Sequence, residues 1–248
     1  MMPSFLAAKS FIAMAHRGSN TKAENSVQSF KEAVELGYTY IETDVRATKD
    51  GVLVVLHDAS LKRVSGVQRP ISELTWEEAS AQIKLSDGSR IPRMIDILEQ
   101  FPTTYFNIDP KSDDAVDPLI EVIKSSGSTH RVCIGSFSRR RVRRLQQGLG
   151  PSLCTSPGGW AMATTLIFAL VAPGRQSSYQ CLQVPMIFRP RWFGSWLVRR
   201  IHAAGLDVHV WTVNDRSTIE RALDVNVDGI ISDDIVLLRG LLERRGLW

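Results

Sequence analysis

Residues 41 to 58 read IETDVRATKDGVLVVLHD, and the fold turns on how this stretch is taken. Tyr38 to Val45 is rich in β-branched and aromatic residues, which predicts a strand, yet Glu42 and Asp44 send two carboxylates out of one face of it. A face that carries two acids is not one buried in hydrocarbon. Lys49-Asp50-Gly51 is a turn signal, and Val52 to Leu56 predicts a second strand ending in His57-Asp58. So short a link excludes a parallel crossover and predicts an antiparallel hairpin. With Asp50-Gly51 as a two-residue loop, Lys49 faces Val52 and Asp44 faces His57, with Cβ atoms roughly 5 Å apart. Two carboxylates and an imidazole then converge on one patch. Taken alone, the hairpin would serve equally well as a solvated tip whose charges keep a sheet edge soluble.

The rest of the chain decides between these readings. Phe11 to Ala15 predicts a short buried strand with His16-Arg17-Gly18 at its C-terminal end, and a helix follows, opened by Asn25 or Ser26 as N-cap and stopped at Gly37. Leu61 to Pro92 is a polar, turn-rich excursion, Met94 to Gln100 a helix, and Thr104 to Asp109 a strand running into Pro110-Lys111. Further strands are expected at Arg131 to Phe137, Leu153 to Thr155, Cys181 to Val184, Asp207 to Val213 and Asp228 to Ser232, alternating with helices. With Val52 to Leu56 as the returning arm of the hairpin, the count is eight. Eight strand and helix units in 248 residues predict an α/β fold, a (β/α)8 TIM barrel with a β-hairpin and a small insertion after the second strand. No linker divides it, so residues 1–248 are read as one domain. Active sites of such barrels lie at the C-terminal ends of the strands. His16, Arg17, Glu42, Asp44, Asp109, Lys111, Phe137 and Trp211 all fall at or near such ends.

Composition narrows the function classes. Charged residues at 23% and hydrophobic ones at 44% are ordinary for a soluble globular protein. A net charge of +4 suits anionic substrates or an anionic membrane surface without demanding nucleic acid. Cys133, Cys154 and Cys181, each in an apolar run, are read as reduced core residues, and without a CxxC, P-loop or GxGxxG the zinc, nucleotide and dinucleotide readings lack support. The N-terminal MMPSFLAAKSFIAMA imitates a secretory signal, but Lys9 interrupts its apolar run and cleavage would fall directly before His16, so a cytoplasmic place is expected. Trp160 to Ala172 carries no charge but is shorter than the roughly 20 residues that span a bilayer. Phe188 to Arg200 sets Trp192, Phe193 and Trp196 among arginines. Together the two segments are read as an apolar rim for peripheral membrane contact.

Glu42, Asp44 and Asp109 offer all-oxygen ligation, which suits Mg²⁺ or Ca²⁺. His16 and His57 can act as an acid and base pair near neutral pH, and Arg17 and Lys111 supply the fork and point charge that bind phosphate. Such a set points to phosphoryl transfer. The motifs HRG, ENS, ETD, HD, NIDPK, SF, WTVN and DGIISD, in this order between Phe11 and Asp234, resemble the glycerophosphodiester phosphodiesterase family.

That resemblance implies a (β/α)8 barrel that hydrolyses glycerophosphodiesters to glycerol 3-phosphate and an alcohol with a divalent cation. It implies that Glu42, Asp44 and Asp109 bind the metal and that His16 and His57 are the acid and base. It further implies that Arg17 and Lys111 hold the phosphate, Glu24 orients Arg17, and Phe137 and Trp211 wall the glycerol pocket. In the mechanism it implies, the substrate's 2-hydroxyl attacks phosphorus and water opens the cyclic phosphate. The chain departs from the family at Asp109, where Glu is usual, and the shorter side chain is expected to alter metal preference. Asp58 is read either as a turn residue or as the partner that orients His57, and His130, His202 and His209 receive no role. A lysophospholipase D working at a membrane surface would use the same chemistry. A non-catalytic barrel binding phosphodiesters or membrane would have no need of the two histidines and three acids.

Overall fold

The computed structural model describes residues 4–8, 10–19, 23–171, 177–186 and 190–248. In chain order its first half runs α1 (Ser4–Ala7), β1 (Ile12–His16), α2 (Val27–Glu35), β2 (Tyr40–Ala47), β3 (Leu53–Val55), α3 (Lys62–Ser65), α4 (Trp76–Gln82), α5 (Met94–Gln100) and β4 (Tyr105–Pro110). The second half runs α6 (Val116–Ser125), β5 (Val132–Gly135), α7 (Arg139–Leu149), β6 (Cys154–Ser156), α8 (Gly159–Val171), β7 (Cys181–Pro185), α9 (Arg191–Ala203), β8 (Asp207–Trp211), α10 (Arg216–Asp224), β9 (Gly229–Ser232) and α11 (Ile235–Arg245). Eight parallel strands follow the order β6-β5-β4-β2-β1-β9-β8-β7, and β3 pairs antiparallel with β2 outside the ring. Between β6 and β7 the ring closes through single bonds, Gln180 N–H to Thr155 O at 3.0 Å and Gln183 N–H to Ser156 Oγ at 3.1 Å. This is the (β/α)8 barrel expected from the strand count.

Short polar residues start the helices that surround it. Ser26, Thr75, Ser138, Asp215 and Asp234 each accept a hydrogen bond from the backbone of the first helical turn. The cap of α2 is thus Ser26; Asn25 takes a left-handed backbone, φ 57°, and turns its side chain inward. Between strands and helices lies one continuous apolar core that includes Ile41, Val45, Ile108, Val132, Ile134, Val208 and Ile230. A second cluster lines the inside of the barrel, with Met14, Tyr40, Cys133, Cys154, Cys181 and Ile231, and α1 plugs its floor with Phe5. Tyr40 donates to the Phe5 carbonyl at 2.7 Å and meets the Phe5 ring edge-on at 5.2 Å, so the plug is both bonded and packed.

The hairpin register differs from the sequence expectation by one residue. Val45 pairs with Val55 and Ala47 with Leu53, so Asp44 stands opposite Leu56 instead of His57. The cause is the turn. Gly51 adopts φ 82° and Thr48 closes the loop by bonding Val52, which leaves three residues in it, while the Lys49 N–H turns away to the Leu74 carbonyl. A one-residue slip exchanges the faces of the returning strand. Leu53 and Val55 therefore join the main core, while Val54 and Leu56 seat the insertion through Leu61, Ile71, Leu74 and Ile83. His57 reaches the site because the chain leaves the ladder after β3.

Away from the site, His202 Nε2 lies 2.7 Å from Asp228 Oδ2. The Asp228 hydrogen bond raises the His202 pKa above its ordinary 6.5 against the opposing effect of burial. A raised folded-state pKa means stability fully present below about 6.5 and lost as pH rises through the folded value. His202→Gln should therefore lower stability at about pH 5.5, by less than about 1 kcal/mol for so exposed a pair, and leave it unchanged at about pH 9. Thermal melts at the two pH values check this.

Candidate active site

Strand register sets the acids side by side. His16 on β1 pairs with Glu42 on β2, Glu42 with Asn107 on β4, and Asp44 with Asp109. All lie toward the C-terminal ends of their strands, where a cavity of about 220 Å³ opens, lined also by Arg17, His57, Lys111, Phe137 and Trp211. Nine of the ten residues singled out from the sequence meet there. The tenth, Glu24, stands behind Arg17 in an adjoining pocket.

Arg17 is held in a left-handed conformation, φ 52°, uncommon for a side chain of its size. Its N–H donates to the Glu42 carbonyl and its own carbonyl accepts from Asn25 N–H, both at 2.9 Å, so the tertiary structure fixes the turn. Gly18 completes it, because a Cβ there would stand 2.5 Å from Ser29 Oγ and 2.7 Å from the Phe30 ring. The guanidinium donates to Glu24 Oε1 at 3.1 Å and lies 3.0 Å from Asp44 Oδ2. Glu24 is gripped from its far side by Arg63 at 2.7 and 2.9 Å. Burial would raise the Glu24 pKa, but the Arg63 hydrogen bonds and the Arg17 charge lower it.

Both histidines are anchored at Nδ1. His16 Nδ1 lies 2.6 Å from Asp233 Oδ1, and His57 Nδ1 lies 2.6 Å from Asp58 Oδ1. Asp233 is fixed in turn by Asn214 Nδ2 at 2.7 Å, and Asp58 by Arg63 Nε at 2.5 Å. Asp58 is therefore the orienting partner of His57; its carboxyl is held at about 2 by the Arg63 hydrogen bond against burial. For His16, burial acts to lower the pKa, and the Glu42 charge with the Asp233 hydrogen bond overcomes it. The imidazole is thus raised above its ordinary value.

Asp233, Asn214 and Arg63 received no role in the sequence reading. The first two lie within the DGIISD and WTVN motifs, a usable signal, whereas Arg63 sits in the polar insertion with nothing local to mark it. It joins Asp58 to Glu24, so one side chain steadies His57 and Arg17 together. Arg63→Met should lower turnover by about tenfold with the fold intact, and Arg63→Lys should recover part of it. Steady-state kinetics beside a far-ultraviolet circular dichroism spectrum would check both.

Asp44 is buried between Arg17, Lys111 Nζ at 2.8 Å and Asn25 Nδ2 at 3.2 Å. Burial would raise its pKa, but Lys111 and Arg17 lower it. Glu42 has no such cation close by, and burial with the Asp44 charge raises it to about 7. Asp109 accepts from Lys111 Nζ at 2.7 Å, yet burial still raises it. A buried carboxylate oxygen without a donor is costly, and Glu42 Oε2 is one; His16 Nε2 lies 3.6 Å from it. Three acids offering oxygen alone, with Glu42 Oε2 unsatisfied and Asp44 Oδ1 met only by the Lys111 ion pair, fit a hard divalent cation in kind. Lys111 neutralises Asp44 and Asp109 across the gap between them.

Phe137, 67% exposed, meets Trp211 edge-to-face at 6.0 Å and forms one wall of the mouth. The floor is an amide pair, Asn107 and Gln183, joined at 2.9 and 3.3 Å.

A parallel barrel that gathers two carboxylate-anchored imidazoles, an arginine and a lysine at its strand ends belongs to the class of TIM-barrel phosphodiester hydrolases. The profile of the glycerophosphoryl diester phosphodiesterase family matches residues 16–237, and the chain belongs to that family. Members of the family generally depend on a divalent metal. A Mycobacterium tuberculosis protein described as probable glycerophosphodiester phosphodiesterase 2 is 40% identical, covering 96% of this chain and 92% of the relative. A human lysophospholipase D is 27% identical over 93% of this chain and 85% of its own. The fold is shared with an Oleispira antarctica phosphodiesterase solved in complex with the product sn-glycerol-3-phosphate, with a TM-score of 0.80, 21% identity and 94% and 96% of the two chains covered.

Proposed function

We propose that the chain hydrolyses glycerophosphodiesters to glycerol 3-phosphate and an alcohol, with His16 and His57 as the acid and base pair. The observation that supports this best is the shared anchoring of the two rings. A carboxylate at each Nδ1 leaves each Nε2 for the substrate in one cavity. Arg17 and Lys111 hold the phosphate, Glu24 braces Arg17, and Phe137 and Trp211 receive the glycerol. His57 takes the proton of the substrate's 2-hydroxyl as that oxygen attacks phosphorus, while His16 gives a proton to the departing alcohol oxygen. The two exchange roles when water opens the cyclic phosphate. Glu42, Asp44 and Asp109 would hold a divalent cation, Mg²⁺ or Ca²⁺, which when bound lowers the hydroxyl pKa and offsets charge on the phosphate.

The test is release of glycerol 3-phosphate from a panel of glycerophosphodiesters, with and without chelator. Activity should vanish in chelator and return with Mg²⁺ or Ca²⁺; undiminished activity in excess chelator would sink the metal assignment. Release from no member of the panel would sink the reading as a whole. Asp109→Glu, which adds one methylene, should change the preference among Mg²⁺, Ca²⁺ and Mn²⁺ more than the maximal rate, and an unchanged preference counts against Asp109 as a direct ligand.

One further observation favours a lysophospholipid substrate taken from a membrane surface. Trp160 and Trp192, at the starts of α8 and α9, are 88% and 74% exposed on the side of the barrel that carries the cavity. Of the two segments expected to form this rim, Ala172, Phe188 and Arg189 lie outside the described residues. Among the described residues no helix is long and apolar enough to cross a membrane. Co-sedimentation with anionic vesicles and faster hydrolysis of a lysophospholipid than of its deacylated headgroup would support the lipid substrate. No binding and the reverse preference would refute it.

A further inference from the structure

Beneath the catalytic cavity, inside the barrel, three thiols come together, with an imidazole on the adjoining strand. Cys133 on β5 pairs with Cys154 on β6, Cys181 opens β7, and His209 lies on β8, the next strand. All four are 0% exposed. The three cysteines are free, and their Sγ atoms lie within 4.8 Å of one another, with Cys133 and Cys181 at 3.9 Å. Among the described residues no other trio of metal-ligating side chains converges so closely.

Fully buried cysteines are common as small hydrophobes, and thiols alone would mean only that. His209 is different. Both its ring nitrogens are buried and neither has a hydrogen-bond partner, a cost that apolar packing does not offset. Room for the ring is made by Gly229 on β9, where a Cβ would stand 2.8 Å from His209 Cδ2.

We propose that Cys133, Cys154, Cys181 and His209 form a buried site for a soft divalent cation, zinc foremost, separate from the carboxylates of the catalytic cavity. Three thiolates and one imidazole are a structural zinc set, and Zn–S bonds of about 2.3 Å in a tetrahedron space the sulfurs about 3.8 Å apart. The 3.9 Å between Cys133 and Cys181 needs almost no adjustment to match. His209, on the next strand, stands outside the 4.8 Å sulfur group, and a turn of its side chain would bring a ring nitrogen in as the fourth ligand, where an ion answers the unsatisfied nitrogen. Hard cations such as Mg²⁺ prefer the oxygen donors above, so the two sites select different metals.

The protonation of the set is consistent with this. Burial pushes Cys133 and Cys154 up, while their hydrogen bonds, and then His209, hold Cys181 well below the usual thiol range. Burial would lower His209, but Cys181 raises it, although no hydrogen bond of ordinary geometry joins them. Zinc binding displaces the protons of the three thiols and leaves three thiolates, a neutral imidazole and a net charge of −1. No electron moves. With Phe5 fully buried in the floor and the catalytic groups above, the ion enters as the chain folds.

The test is refolding of the full chain from denaturant with Co²⁺, a spectroscopic stand-in for zinc. The expected result is about one thiolate-bound Co²⁺ per chain, seen as near-ultraviolet sulfur-to-cobalt charge transfer with tetrahedral bands in the visible, both erased by Zn²⁺. Carboxylate-bound Co²⁺ gives no such charge transfer, so ions in the catalytic cavity do not interfere. Cys154→Ser should lose at least about a third of the near-ultraviolet band, one thiolate of three, and His209→Phe should shift the visible bands; unchanged bands in either remove that ligand. Should a variant fail to fold, the wild-type protein decides. Wild type that refolds to its native circular dichroism without the charge-transfer band overturns the proposal. So does wild type isolated with two of its three thiols oxidised, as counted by thiol titration in denaturant with chelator.

Discussion

His16→Ala and His57→Ala should each lower turnover by at least about a hundredfold, the lower range for loss of a general acid or base. The expectation rests on how the rings are held. Each has Nδ1 committed to a carboxylate that is itself fixed by a second donor, Asn214 for Asp233 and Arg63 for Asp58. Such anchoring sets ring orientation and tautomer at once, so no neighbouring group substitutes for a lost imidazole. Neither ring carries core packing, and the melting temperature should hold. Asp233→Asn keeps the size but removes the charge behind His16, and should lower turnover by about tenfold. Turnover within a few-fold of wild type in either alanine variant, with substrate saturating, would remove that histidine from the acid and base pair.

Asp44→Ala should abolish measurable activity and lower stability by up to about 3 kcal/mol, since breaking the buried ion pairs leaves Arg17 with Glu24 alone and Lys111 with Asp109 alone. Asp44 is 1% exposed and answers Arg17 and Lys111, each with a side chain only 17% exposed. Without it the two cations lose the carboxylate they share, and the oxygen set proposed for a divalent cation loses its central member. The Asn25 amide, which donates to Asp44 at 3.2 Å, is left without that acceptor as well. Denaturant titration and kinetics on one preparation separate the two effects. An active variant would show that Asp44 serves only to position the cations, and an inactive one of wild-type stability would show that the ion pairs contribute nothing net.

The hairpin residues 41–58 disclosed the site because its acids occupy strand positions that packing alone would fill with hydrocarbon. Strand count and order were legible for a related reason, since each buried strand is a continuous apolar run and each helix is separated from it by turn residues. Local chemistry ended there. The register of the hairpin depended on whether Lys49 belonged to the ladder or the loop, and Leu74, in the insertion, settled that by accepting its N–H. Asp233 reaches His16 across 217 residues and Arg63 reaches Glu24 across 39, and no periodicity reports contacts of that span. The thiols show the limit most plainly. Read along the chain, Cys133, Cys154 and Cys181 are isolated small apolar residues with no metal-binding spacing. Ring closure places them on three neighbouring strands beside His209, because parallel strands bring residues into register at intervals set by the length of the intervening helix and not by any local repeat.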